Sequence, residues 1–212
     1  MRKQVCLWLL LSCLLSGCGT AAAPSSAAEE EGAVPAWAPA SGAGLSATQL
    51  EAEPRPLLEE EILAAYYRAE EAYGWFDLAP LPDSGETVRV DGAAYRRVDY
   101  PGMETLDDLR AYLRNLFSAE LTDYLLSLGG GTPYYQDVDG ALHVSFSGRD
   151  RDGSKGASQV EAVRMDGQAY SLEVSVELLD STRTAVTGLE CWSFSYAYVD
   201  GRWVFTDFQL VG

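Results

Sequence analysis

The 212-residue chain carries 32 acidic against 15 basic side chains, a net charge of −17 with its one histidine neutral. That excess excludes nucleic acid as a partner, since phosphates would be repelled rather than neutralised, and it excludes a basic patch as the means of holding an anionic membrane. With 47% apolar and 11% aromatic residues, the composition is still that of a globular protein able to bury one sizeable core.

At the N-terminus, Arg2 and Lys3 precede an apolar run over roughly 5–15, too short to cross a bilayer, that leads into Leu15-Ser16-Gly17-Cys18. This is the pattern of a bacterial lipoprotein signal. Residues 1–17 are expected to be removed and Cys18 to carry a lipid, anchoring the protein at the extracytoplasmic face of the cell membrane. Cleavage there takes Arg2 and Lys3 from the 15 basic residues, leaving 13 against 32 acidic ones, −19 net. It also removes Cys6 and Cys13. Cys191 is then the sole thiol beside the lipidated one, so no intramolecular disulfide is expected and the fold must stand on packing. Within a strand pattern, Cys191 reads as a small buried hydrophobe rather than a nucleophile.

Residues 18–56 are Ala, Pro, Ser, Gly and Glu without sustained periodicity, including Glu29-Glu30-Glu31, and predict a disordered tether. As a flexible coil such a segment reaches roughly 35 Å, enough to lift a domain away from lipid headgroups.

A single α+β domain is predicted over 57–212. Its first helix starts near Leu58, with Ile62, Tyr66, Ala69 and Tyr73 on one face, Glu59 to Glu61 in the first turn and Gly74 at the end. A second opens at Thr105, an N-cap three residues before Asp108, with Leu106, Leu109, Leu113 and Leu116 as its apolar stripe. Ser118 caps a third carrying Leu121, Leu125 and Leu128, stopped by Gly129-Gly130-Gly131. Asp-Gly pairs at 91–92, 139–140, 166–167 and 200–201 each lie between extended segments and predict four hairpins, because both residues tolerate the positive φ of a type I′ turn. The last three pair 134–138 with 141–147, 159–165 with 168–178, and 189–199 with 202–210. Together they predict N-terminal helices packed on one face of a mostly antiparallel sheet of about six strands.

No catalytic residue, metal site or cofactor is indicated. His143 alternates out of phase with Leu142 and Val144 and is expected to face solvent, without a nucleophile to serve. Asp150, Asp152, Ser154 and Glu161 mimic calcium-loop spacing, but Lys155 stands where that loop needs glycine, so the stretch reads as a polar hairpin loop. The adjacent carboxylates Glu70 and Glu71, and Asp107 and Asp108, read as solvated helix faces; an acid–base pair would have to converge across the fold. Across a two-residue turn at 200–201, Tyr198 faces Trp203 and Tyr196 faces Phe205, continued by Phe194 and Trp192, with enough apolar surface on both sides to make a central, core-forming pair. The loop over 129–135 is the candidate partner-binding surface, with Gly130, Tyr134 and Tyr135 as the residues of interest.

The order of elements, and the segments that run from Glu60-Glu61-Ile62-Leu63 to Tyr73-Gly74-Trp75-Phe76, through Val90-Asp91-Gly92 and Tyr95-Arg96-Arg97-Val98, to Met103-Glu104-Thr105-Leu106-Asp107-Asp108-Leu109 and Leu116-Phe117-Ser118, resemble the DL-endopeptidase inhibitor family of Gram-positive cell walls. The likeness covers approximately residues 58–212. It implies a non-enzymatic protein that binds cell-wall-cleaving cysteine endopeptidases, blocks their active-site groove and so limits autolysis; no inhibitory loop is carried over. An acidic domain would be steered towards a basic hydrolase. The alternative is a cone-shaped domain of the nuclear-transport-factor-like or cystatin-like kind, binding a small ligand in a pocket lined by Tyr196, Tyr198, Trp203 and Phe205. Those rings would be buried under the first reading and would line a pocket under the second.

Overall fold

A computed structural model describes residues 54–212, which form one compact unit. The leader over 1–17, lipidation at Cys18 and the tether up to residue 53 lie outside the described residues. Helix α1 (Glu59–Gly74) buries Ile62, Ala65, Tyr66, Ala69 and Ala72 along one face, the stripe its spacing dictates. Leu58 offers no side-chain acceptor as N-cap, so the first turn is held from the other side: the Glu61 carboxylate accepts from Leu58 N at 2.9 Å and from both terminal nitrogens of Arg55, at 2.9 and 2.6 Å. These bonds, the Arg55 bonds foremost, pull the Glu61 carboxyl down to about 2. At its far end the helix stops at Gly74, whose carbonyl accepts from Leu78 N and Ala79 N as the chain turns away.

The strands that follow make two sheets, not one. β1 (Asp83–Val90) and β2 (Ala93–Val98) form the first hairpin; α2 (Leu106–Arg114) and α3 (Ala119–Leu126) intervene before β3 (Tyr135–Val138) and β4 (Ala141–Val144). β4 then pairs with both β2 and β3, giving an antiparallel sheet in the order β1-β2-β4-β3. β5 (Lys155–Arg164), β6 (Ala169–Leu179), β7 (Val186–Val199) and β8 (Arg202–Phe205) form a second, β5-β6-β7-β8. The expectation of about six strands in one sheet, with the helices ahead of it in the chain, is therefore corrected. Alternation and turn residues specify which segments are strands and which neighbours form hairpins, but the pairing of β2 with β4 is set by packing between residues far apart in the chain.

Three of the four Asp-Gly turns have the expected conformation, with φ of +50° and +85° at 91–92, +51° and +80° at 139–140, and +51° and +81° at 200–201. At 166–167 the loop is wider: Met165 N and Asp166 N both donate to Ala169 O, and Gln168 N donates to the Asp166 carboxylate at 2.7 Å. The two short helices are capped as their sequences require. Thr105 Oγ1 accepts from Asp108 N at 3.2 Å while Asp108 accepts from Thr105 N at 2.8 Å, a reciprocal capping box, and Ser118 Oγ accepts from Leu121 N at 3.3 Å.

An aromatic core joins these parts. Tyr66 of α1 stacks on Phe194 of β7 and touches Phe208, and Phe208 in turn contacts Phe117, Phe194 and Phe205 with ring centres 5.7, 4.9 and 5.0 Å apart. The segment before α3 runs parallel to β8 as an extra edge: Phe205 N donates to Leu116 O and Ser118 N to Phe205 O, both at 2.8 Å. Leu116 to Ser118 thus cover β8 at its last residue, Phe205, whereas the 200–201 hairpin, expected at the centre of its sheet, lies at one side with only β7 interior.

On the first sheet Tyr135 plays the matching part. Its ring meets Phe76 at 5.1 Å, and its hydroxyl donates to Trp75 O at 3.0 Å and accepts from Leu81 N at 2.9 Å. Burial pushes its phenol well above the ordinary tyrosine range. Tyr135→Phe leaves both backbone groups unpaired in the interior, and should cost about 1–3 kcal/mol in urea or thermal unfolding. A second prediction concerns the start of α1. Because the Glu61 carboxyl lies below its usual value near 4.5, the stability that it contributes is present above that pH and is lost as pH falls towards about 2. A carboxyl-detected NMR titration should place Glu61 near 2 in the native protein and return it towards the ordinary carboxylate range in Arg55→Ala.

Candidate functional site

The loop over 129–135 forms one wall of a shallow depression of about 560 Å3, completed by Ala93 and Ala94 at the start of β2 and by Ser145, Phe146 and Ser147 beyond β4. Backbone geometry fixes it. Tyr134 N donates to Leu128 O and Ser145 N to Tyr134 O, so the chain on either side of β3 and β4 is held in register beyond the last ladder pair. Pro133 O accepts from both Tyr95 Oη and Ser145 Oγ, each at 3.0 Å, which ties the loop down onto β2 and β4 together. Within its lining Tyr134 stacks face to face on Phe146, ring centres 4.4 Å apart and 17° from parallel. The carbonyl of Phe146 is held from below by Arg96, whose Nε is ion-paired with Asp83 at 2.7 Å.

Gly129 is needed for this shape. It has a φ of +93°, and a Cβ there would lie 2.2 Å from Thr132 O and 2.8 Å from the Tyr134 ring. Gly130 is also left-handed, at +57°, but a Cβ on it meets open space.

Of the residues singled out from sequence, Tyr134 lines this surface, half-buried with one ring face used by Phe146, while Gly130 is exposed in the same loop but does not line the depression. Tyr135 does not: 2% exposed, it belongs to the core and is unavailable to a partner. Strand alternation explains the split, since consecutive residues entering a strand point to opposite faces. Thr132 falls within the predicted loop, whereas Ser145 and Phe146 lie outside it; the signal for Phe146 was present in the continuation of the β4 alternation beyond Val144. Cys18 lies outside the described residues.

The depression is lined by small and aromatic neutral groups, with no carboxylate, amine or imidazole. Ser145, its best-placed hydroxyl, has its proton engaged by Pro133 O. His143 is not at the surface, as alternation suggested, but 6% exposed. It lies on an interior strand between Arg97 and Gln136, long side chains that flank it in the same row, and its Nδ1 lies 2.8 Å from Ala141 O. Cys191 is on β7 of the other sheet, half-buried, opposite Ser175. Glu161, the last position of the calcium-like spacing, is in β5 facing Glu173, while Asp152 accepts from Ser154 N and Ser154 Oγ in its own turn. Among the described residues no group of three His, Cys, Asp or Glu side chains is placed to hold a metal ion, and no helix is long and apolar enough to cross a membrane.

The aromatic hairpin has the expected register, with Tyr196 opposite Phe205 and Tyr198 opposite Trp203. Phe205 and Tyr196 are buried at 0% and 7% exposure, and desolvation pushes the Tyr196 phenol up to about 12. Trp203, half-buried, packs against Tyr170, Tyr196 and Tyr198. None of these four rings lines the depression described above. No family model and no curated protein matches the chain.

The two loop glycines make a paired test. Gly129→Ala combines backbone strain with a collision and should destabilise by more than 2 kcal/mol, whereas Gly130→Ala pays only the left-handed penalty of about 1 kcal/mol. Equal shifts in the urea midpoint for the two variants would contradict this account of the loop.

Proposed function

We propose that this is a lipid-anchored, extracytoplasmic binding protein that docks on a basic cell-wall DL-endopeptidase and limits its activity. The observation that carries the reading is the neutral aromatic platform of Tyr134 and Phe146, framed by the glycine loop, on a domain of strong negative charge. Long-range attraction would bring a basic partner to the domain, and a desolvated ring pair would seat it; charge sets the rate of encounter and buried aromatic contact the lifetime. The family resemblance supports the same direction. The residues that carry it, including Trp75, Phe76, Tyr95, Leu109 and Phe117, are buried here, so they speak for a shared core, and the target-facing surface has to come from geometry. The alternative of a ligand pocket lined by Tyr196, Tyr198, Trp203 and Phe205 finds less support, because those rings pack on one another and on Tyr170.

The test is capture from detergent-solubilised Gram-positive envelope with the full-length chain, followed by digestion of purified peptidoglycan with the captured enzyme. Capture of a cysteine endopeptidase, slowed by added protein and weakened at high salt, is the expected result, with Tyr134→Ala reducing affinity at least tenfold, the size expected for an interface ring worth about 2 kcal/mol. Failure to capture any hydrolase, with digestion unaffected, sinks the reading.

A further inference from the structure

The C-terminal half of α1 has a second outward stripe that the core does not use. Tyr67, Glu70, Glu71 and Gly74 follow one another at helical spacing and line a groove of about 410 Å3, closed on the other side by Tyr100 and Arg151. Its floor is Trp75, whose ring centre is 5.7 Å from that of Tyr100.

Three features set this groove apart from ordinary surface. First, Glu71 lies in the last turn of α1 and Glu70 just before it, near the negative end of the helix dipole; that last turn holds no basic residue, and although Arg68 lies one turn earlier, neither carboxylate has an ion pair. Second, Arg151 lacks an ion pair although Arg149, two residues earlier, is bound bidentately to Asp77 at 2.9 and 2.5 Å. Opposite charges thus face one groove without neutralising each other. Third, Gly74 is buried and in ordinary helical conformation, yet a Cβ on it would meet no atom within 4 Å beyond its chain neighbours and its own helix backbone. The missing side chain leaves the floor open. Tyr67, 56% exposed, stands at the rim as an aromatic wall, its ring edge-on to Tyr66 with centres 5.5 Å apart.

We propose that this groove binds a zwitterion of amino-acid type, its ammonium group between Glu70, Glu71 and the rings of Tyr67 and Tyr100, and its carboxylate on Arg151. Carboxylates beside aromatic faces are the environment that recognises an alkylammonium ion, and an unpaired guanidinium accepts a carboxylate in fork geometry. The same chemistry is offered by a free diamino acid and by a peptide ending in one. The groove is separate from the Tyr134 platform, so the inference stands whether or not an endopeptidase is the partner of that platform.

The experiment is calorimetric titration of the full-length protein in detergent with free lysine and with Ala-Ala-Lys, against the tripeptide amide and the norleucine analogue. Saturable binding of the tripeptide, weakened about tenfold or more by loss of either charge on the ligand, is expected. Equal binding of lysine would assign a free amino acid; binding of the tripeptide alone would assign a chain end. Glu70→Gln with Glu71→Gln, and Arg151→Ala, should each weaken binding about tenfold, and Gly74→Leu should abolish it by filling the floor. Circular dichroism checks that each variant folds, and the charge variants carry the test if Gly74→Leu does not. Absence of saturable binding by both probes, or binding indifferent to the amide, to norleucine or to these substitutions, overturns the proposal.

Discussion

Phe205 is where the separate parts of this domain become one object. Its ring is fully buried against Tyr196 and Phe208, and its backbone is bonded on the edge side to Leu116 and Ser118. The pairing does two jobs at once. It satisfies the outward donor and acceptor of Phe205 at the end of β8, which would otherwise be left unpaired, and it fixes the start of α3, because Ser118 both donates to Phe205 and caps the helix. From there α2 and α3 are positioned against the first sheet, whose Tyr135 reaches back to the chain just beyond α1. A fold with two modest sheets and three helices has little redundancy, and the aromatic cluster around Phe205 supplies the contact that neither sheet can supply by itself.

How much of this could be read in advance follows from the range of each interaction. The helix stripes at Ile62, Tyr66 and Ala69 and at Leu109 and Leu113, the Thr105 and Ser118 caps, and the Tyr198 to Trp203 register are all local, decided within a few residues, and the sequence states them clearly. The division into two sheets is not local. β2 and β4 meet across both short helices, and nothing in Arg96 or Arg97 announces Val144 or His143 as their neighbours. The burial of His143 has the same origin, since alternation gives the face on which a side chain lies but not whether that face is covered. At the candidate surface, Gly129 and Tyr134 were visible as a loop signal, while the role of Phe146 as the second ring depends on the β4 register.

Charge and shape are divided between different parts of the molecule. The Tyr134 depression is neutral, while the carboxylates are distributed over helix faces and the outer side of the second sheet, where Glu173 is held by the hydroxyls of Ser171 and Ser193. Such a division suits recognition in two stages, with a diffuse field acting at a distance and a small uncharged contact deciding what stays bound. The seven ion pairs of the described residues are mostly exposed and contribute little to stability, so the acidic surface is better understood as an electrostatic property than as a scaffold.

The placement of Tyr66 against Phe194 and Phe208 also sets an order of events as the chain is made. The hairpins of the second sheet can close on themselves as they emerge, since their partners are adjacent in sequence. Helix α1 cannot be completed in that way, because Phe194 and Phe208, which cover Tyr66 on its apolar face, come far later in the chain. Helix α1 must therefore keep an uncovered hydrophobic stripe until the second sheet and Phe208 have been made, a delay that slows folding and leaves the nascent chain dependent on protection from aggregation.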